Sequence, residues 1–318
     1  LSDVEAVTFQ NRAGQKLFGT VHRPARARAG MPAVLLLSPG VKMRVGPGRL
    51  YLPLTDMLTA EGFTVLRFDF FGLGDSEGEL AEKMLPDVYN HIEVGRYVDD
   101  TLAALDWLRD EQGFQRFVLG GLCGAAITAL LAAQRDPRVE GLLSLGMTVT
   151  LASNAATPAK YMSGAELDAM RGLYIRKLLN PSAWLRFLTF RSDYSVAWHA
   201  MLRLIRKPKP KPVAASAEAP IPAEQRGNAN PLFPPAYFEF LRRGGHALML
   251  FSEKDRLYSE YEEKFVQPYA EGLKPLAGQI EYHLVLSANH VLSLPEWRRE
   301  MVDTSRAWLH RRYPQAVA

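Results

Sequence analysis

Apolar and polar positions along the first half of the chain change period in a repeating way. Residues 4–9 and 16–22 alternate, and Asn11-Arg12-Ala13-Gly14 separates them with turn residues, which predicts a hairpin. Ala33-Val34-Leu35-Leu36-Leu37 is then apolar at every position and stops at Ser38-Pro39-Gly40. A strand that is apolar throughout is covered on both faces, as in a parallel sheet flanked by helices. A helical pattern over residues 51–61 and a strand over 63–69 follow. The pair repeats with a helix over 94–109, a strand over 116–120, a helix over 124–134 and a strand over 139–145. Strands alternating with helices predict an α/β class with a mostly parallel, doubly wound sheet.

From about residue 150 to 243 the helical period continues without a strand. Residues 206–235 within it are rich in Pro, Lys, Ala and Asn and read as a flexible segment. Alternation resumes with strands over 247–251 and 280–286 and helices over 259–273 and 295–311. The expected organisation is therefore a core in two parts, 1–149 and 244–318, with a helical lid inserted at 150–243.

Charge changes this picture little. The net charge is +4, and Arg206-Lys207-Pro208-Lys209-Pro210-Lys211-Pro212 alone carries four positive charges, so the remaining chain is balanced. That argues against a nucleic-acid-binding face and leaves a solvated loop, or a contact for an acidic carrier protein. No apolar run approaches the roughly 18 residues that span a bilayer. The acidic start lacks a signal-peptide pattern, and a cytoplasmic location is expected. The single cysteine excludes an intrachain disulfide and a cysteine-based metal cluster. No phosphate loop, nicotinamide, flavin or metal motif is present, so no cofactor is expected.

That cysteine stands where chemistry is concentrated. In Phe117-Val118-Leu119-Gly120-Gly121-Leu122-Cys123-Gly124-Ala125-Ala126 a strand runs directly into a helix through small residues. The pattern G-x-C-x-A matches a nucleophile elbow, in which the positions two before and two after the nucleophile are small so that strand and helix can close up. Cys123 at a helix N-terminus meets free N–H groups that favour a thiolate. In this arrangement the acid and histidine follow the nucleophile in chain order, in loops at the carboxyl ends of strands. Phe251-Ser252-Glu253-Lys254-Asp255 offers Asp255, with Glu253 in reserve, and Leu286-Ser287-Ala288-Asn289-His290 offers His290. Asp255 also reads as a helix N-cap. The backbone N–H of Gly124 is one expected oxyanion donor. Val41 is the other, with Gly40 making room. Lys42 and Arg44, next along, read either as solvated charges or as contacts for a substrate carboxylate or phosphate. In the insertion, Tyr174 and Trp184 are candidate apolar substrate contacts.

Arg67-Phe68-Asp69-Phe70-Phe71-Gly72-Leu73-Gly74-Asp75-Ser76 resembles the D-x-x-G-x-G-x-S turn of α/β hydrolases. Together with the elbow, Asp255 and His290, this resemblance spans nearly the whole chain outside the insertion. Gly121-Leu122-Cys123, the run from Tyr174 to Trp184 and Asn289-His290-Val291-Leu292-Ser293-Leu294-Pro295-Glu296-Trp297 are similar to the exosortase A system-associated hydrolases. Those carry Asp after the cysteine, where this chain has Gly124, so only the Cys-His-Asp chemistry carries over. The architecture also resembles thioesterases and acyltransferases of natural-product pathways.

The resemblance implies acyl-group chemistry through an acyl-cysteine, by hydrolysis or transfer, on a small-molecule ester or on a thioester of coenzyme A or an acyl carrier protein. An elimination or C–C bond reaction with His290 as base, and a binding protein that has lost turnover, are the alternatives. The oligomeric state is not legible.

Overall fold

Alternate side chains of Ala33–Leu37 go to opposite faces of a sheet, and all are buried. Val34 and Leu36 join one core, whereas Ala33, Leu35 and Leu37 join the other. A strand buried on both sides needs helices above and below it. The computed structural model, which describes residues 3–27, 30–152 and 228–314, supplies them.

The sheet has eight strands in the order β1-β2-β4-β3-β5-β6-β7-β8. β1 (Asp3–Gln10) and β2 (Lys16–Arg23) form the expected hairpin, and β2 also pairs antiparallel with β4 (Val65–Phe68). From there every pairing is parallel: β4 with β3 (Ala33–Leu37), then β5 (Phe117–Cys123), β6 (Val139–Met147), β7 (His246–Ser252) and β8 (Ile280–Val285). One face packs on α1 (Tyr51–Ala60) and the last helix, α8 (Pro295–Arg312), around Leu54, Leu58, Trp308 and Leu309. The other packs on α2 (Leu85–Glu93), α3 (Val98–Gln112), α4 (Gly124–Arg135) and α5 (Phe233–Arg242). The shorter α6 (Arg256–Tyr261) and α7 (Ala270–Leu273) follow β7. This is the α/β-hydrolase fold.

Three sequence readings differ from the structure. α2 lies where no element was expected. The helix expected over 259–273 is instead α6, one π turn at Glu262–Val266, and α7. The insertion was expected to reach residue 243, but α5 is part of the core. Phe233, Tyr237, Phe240 and Leu241 are buried, and Phe233 meets Phe265 edge to face at 4.7 Å between centroids. Pro234 and Pro235, which made this stretch look like a linker, sit in the first turn of α5, where a missing N–H costs nothing. The rest of the insertion, residues 153–227, lies outside the described residues, with Tyr174, Trp184 and the basic segment 206–212.

The glycine-rich turn after β4 is a structural knot. Asp69 is fully buried and accepts from the Asp75 N–H at 3.1 Å. Its carboxylate also pairs with the Arg44 guanidinium and accepts from the Arg44 N–H at 2.6 Å. Gly74, at φ +55, passes so close to that carboxylate that any Cβ would overlap it. Ser76 closes the turn, donating to the Asp69 carbonyl at 2.5 Å and accepting from the Phe18 N–H at 2.8 Å.

Candidate active site

β5 ends at Cys123 and α4 begins at Gly124, with no residue between them. The reversal is made at Cys123, whose φ of 59° and ψ of −117° lie where side chains are rarely found. A strained residue of this kind persists only where its surroundings hold it. A Cβ at Gly121 would overlap that of Ala125, so the strand–helix approach demands glycine there. Tyr51, fully buried on α1, spans the top of the turn from the other face of the sheet. Its hydroxyl donates to the Leu37 carbonyl at 2.9 Å and accepts from the Leu122 N–H at 2.8 Å. One hydroxyl thereby ties the end of β3 to the residue preceding Cys123. Nothing local in the sequence distinguishes Tyr51 from an ordinary helical core residue.

Asp255 and His290 sit in neighbouring loops after β7 and β8. The loops are joined by Glu253 N–H to the Val285 carbonyl at 3.0 Å and Lys254 N–H to the Ala288 carbonyl at 2.9 Å. His290 Nδ1 donates to Asp255 Oδ2 at 2.6 Å. The other carboxylate oxygen of Asp255 accepts from the Leu257 N–H at 3.3 Å, so one side chain both caps α6 and orients the imidazole. Glu253 faces elsewhere: its carboxylate accepts from the Ser287 N–H at 2.7 Å. With Nδ1 engaged by Asp255, Nε2 is the nitrogen left for Cys123. Burial disfavours the His290 cation, but hydrogen bonds to Asp255 and Cys123 and the charges of both outweigh it. The imidazole is raised to about 10. The imidazole is thus held as a cation between the two side chains.

Gly40 at φ +56 brings the loop after β3 against the elbow. Its N and Cα lie 3.6 Å from the place a Cβ would take on Gly124. The loop that carries Val41 is therefore a close neighbour of Gly124, the residue after Cys123. Lys42 is exposed, and among the described residues no carboxylate pairs with it. Arg44 is not available to a substrate. Its side chain is only 14% exposed, engages Asp69 and Asp75, and stacks over Phe18 at 4.6 Å. The partners arrive from β4 and β2, which is why local sequence made Arg44 look like a mouth residue.

α2 roofs this region. Ile92 approaches the Cβ position of Gly124 to 2.9 Å, and Tyr89, one turn earlier, approaches that of Gly40 to 3.0 Å. Behind them Glu93 is buried. It accepts from the Ala152 N–H at 2.5 Å, while its carbonyl accepts from Asn230 Nδ2 at 2.6 Å. Burial is the main reason its carboxyl is raised to about 7; the nearby Glu260 charge adds to that, against the Ala152 N–H, Arg256 and Thr148. A carboxyl raised from 4.5 to about 7 holds a proton in the folded state that the unfolded chain releases. Its stabilisation is complete below about pH 4.5 and is lost as pH rises to about 7, on the order of 3 kcal/mol in all. Glu93→Gln is therefore expected to match the native protein in urea unfolding at pH 4.5 and to exceed it at pH 8. Parallel curves across that range would remove Glu93 as the cause.

Among the described residues no group of three or more His, Cys, Asp or Glu is placed to hold a metal, and no helix is long and apolar enough to cross a membrane.

Comparison with solved structures finds the same architecture in esterases. The chain aligns with the Pyrococcus furiosus esterase Pf2001 at TM-score 0.56 and 16% identity, covering 98% of this chain and 91% of that one. It aligns with the esterase domain of a Rhodothermus marinus protein at TM-score 0.52 and 17% identity, covering 97% and 99%. A cold-adapted esterase from an Arctic intertidal metagenomic library aligns at TM-score 0.52 and 14% identity, covering 98% and 94%. At such identities the likeness speaks for the fold alone. Comparison with the curated proteins finds no match. The family model for Hydrolase_4, serine aminopeptidase S33, matches residues 32–195, more than half of the chain, including the loop after β3, the glycine-rich turn and the elbow. The chain belongs to this hydrolase family, with a cysteine at the elbow.

Proposed function

We propose that this protein is a cysteine-dependent acyl-transfer enzyme that cleaves an ester or thioester through an acyl-Cys123 intermediate. The observation that carries the reading is a strained Cys123 at a strand–helix turn beside an imidazole already hydrogen-bonded to a buried carboxylate. In this mechanism His290 holds the proton of Cys123, and Asp255 fixes the ring and balances its charge. The thiolate forms a bond to the acyl carbon, and the carbonyl π pair moves to oxygen, facing the N–H groups of Val41 and Gly124. Collapse restores the carbonyl and expels the alkoxide or thiolate leaving group, which takes the proton from His290. Water, or an amine, alcohol or thiol, then loses a proton to His290 as it attacks the acyl-cysteine, and collapse of this second intermediate breaks the C–S bond, releasing the acyl product and returning Cys123 as thiolate beside protonated His290.

Sulfur as nucleophile favours donors of its own kind. Exchange of an acyl group between two thiols is nearly thermoneutral, so coenzyme A and acyl carrier thioesters suit this site, and the acyl group stays activated for transfer. The likeness of the elbow and of the His290 segment to exosortase A system-associated hydrolases, and of the architecture to natural-product thioesterases, supports the same chemistry. Exposed Lys42 beside the oxyanion loop is suited to a phosphate or carboxylate on the donor.

The test is intact mass after incubation with acyl-coenzyme A thioesters and p-nitrophenyl esters of graded chain length. A one-to-one acyl adduct that is absent in Cys123→Ala supports the covalent route. Faster loss of the adduct to amines or alcohols than to water favours a transferase over a hydrolase. An adduct that survives Cys123→Ala overturns the assignment of the nucleophile.

A further inference from the structure

The acyl-transfer reading leaves one polar group beside the elbow without a task. Tyr89 is on α2, half-buried, with its ring against the core. Its ring edge, Cε1, lies 3.0 Å from the Cβ position of Gly40, and its hydroxyl oxygen lies 3.6 Å from the same point. Gly40 is the residue before Val41 and, as described, borders Gly124. The phenol therefore lies against the glycine that joins the loop of Val41 to Gly124, near enough for the charge of Cys123 to act on it. Among the described residues nothing hydrogen-bonds the Tyr89 hydroxyl, and that oxygen is not fully enclosed, so it is open to a ligand. Phenylalanine would pack on Gly40 equally well, so packing gives no reason for the oxygen. Gly40 is the residue that lets the phenol approach, since any side chain there would meet the ring.

We propose that Tyr89 is a catalytic residue, its hydroxyl the third donor to the acyl oxygen beside the N–H groups of Val41 and Gly124. This rests on the acyl-cysteine reading. When the thiolate bonds to the acyl carbon, the π pair moves to the carbonyl oxygen. The hydroxyl donates to that oxyanion without transferring its proton, and no additional reactant is consumed. Two features suit it to the task. Burial first, and then the charges of Cys123 and Glu93, raise its ionisation above the ordinary tyrosine range, so it remains a donor at neutral pH. The helix also holds the ring through Ile92, packed one turn on against Gly124.

The experiment compares native protein with Tyr89→Phe, which keeps the ring and hence the packing. Acylation of Cys123 by p-nitrophenyl esters is followed as the p-nitrophenolate burst, and alkylation of the same thiol by iodoacetamide is followed by mass from pH 5 to 9. Alkylation passes through no oxyanion. The expected result is acylation slowed on the order of 10²-fold, the size of one lost oxyanion donor, with KM and the alkylation profile unchanged. Equal acylation rates would overturn the proposal and leave Tyr89 a packing residue. A parallel fall in alkylation, or a shift of its pH profile, would overturn it as well, because the phenol would then act on the thiolate. Native protein that alkylates but is never acylated on Cys123 would overturn the acyl-cysteine reading itself, and the Tyr89 assignment would fall with it.

Discussion

Cys123→Ala is expected to lower kcat/KM on acyl thioesters by on the order of 10⁴-fold or more, with little change in unfolding temperature. The size follows from removing the atom that forms the covalent intermediate; what remains is binding and oxyanion stabilisation alone. The fold should tolerate the change because alanine is no more strained at φ 59° than cysteine, and Cys123 lies at the edge of the core. Cys123→Ser is the more informative partner. Serine keeps the geometry but is not ionised at neutral pH, so the thiolate that helps raise His290 to about 10 is gone. His290 then returns toward the ordinary histidine range, and it must be neutral to act as a base. Activity of Cys123→Ser, above that of the alanine variant, is expected to rise with pH through that range. Steady-state assays from pH 5 to 9 on the three proteins decide the matter. If Cys123→Ala keeps a tenth of the native activity, the nucleophile lies elsewhere.

What the chain discloses about itself depends on how local the cause is. The limits of β3 could be read to the residue because five consecutive buried side chains leave no other periodicity. The elbow was legible for the same reason: its small residues and its cysteine are adjacent. α2 was not legible. It is nine residues long, with only Val88, Ile92 and Glu93 buried, and it follows a glycine-rich turn that masks its start. Tyr89 and Glu93 were missed with it. Arg44 was misread because its two carboxylate partners lie on a different strand's turn, and a local reading sees only a positive charge. Tyr51 went unnoticed because its role joins the ends of β3 and β5, which come together only in the folded sheet. The Asp255–His290 hydrogen bond joins residues 35 apart. Only the order of strands β7 and β8, each ending in a short polar loop, could link them beforehand.

Asp255→Asn tests that link, and its effect is expected to be nearly as large as removing the nucleophile, on the order of 10³- to 10⁴-fold in kcat. The reason lies in the double duty of the carboxylate. One oxygen of Asp255 caps α6 by accepting from the Leu257 N–H, and the other accepts from His290 Nδ1. An asparagine that keeps its carbonyl oxygen on Leu257 must present its amide to His290. Nδ1 then becomes the acceptor, the proton moves to Nε2, and the face toward Cys123 offers a donor where a base is required. Loss of the charge also removes a main force holding His290 as a cation beside Cys123. Iodoacetamide alkylation across pH should therefore shift to higher pH in this variant. Stability carries a matching signature. A histidine raised in the folded state stabilises it fully below its ordinary pKa of 6.5, and that contribution is lost as pH climbs toward about 10. The stability gap between native protein and Asp255→Asn should accordingly narrow over that interval. If Asp255→Asn turns over normally while Glu253→Gln does not, the acid belongs to Glu253, and the hydrogen bond at 2.6 Å serves only to cap and brace the loops.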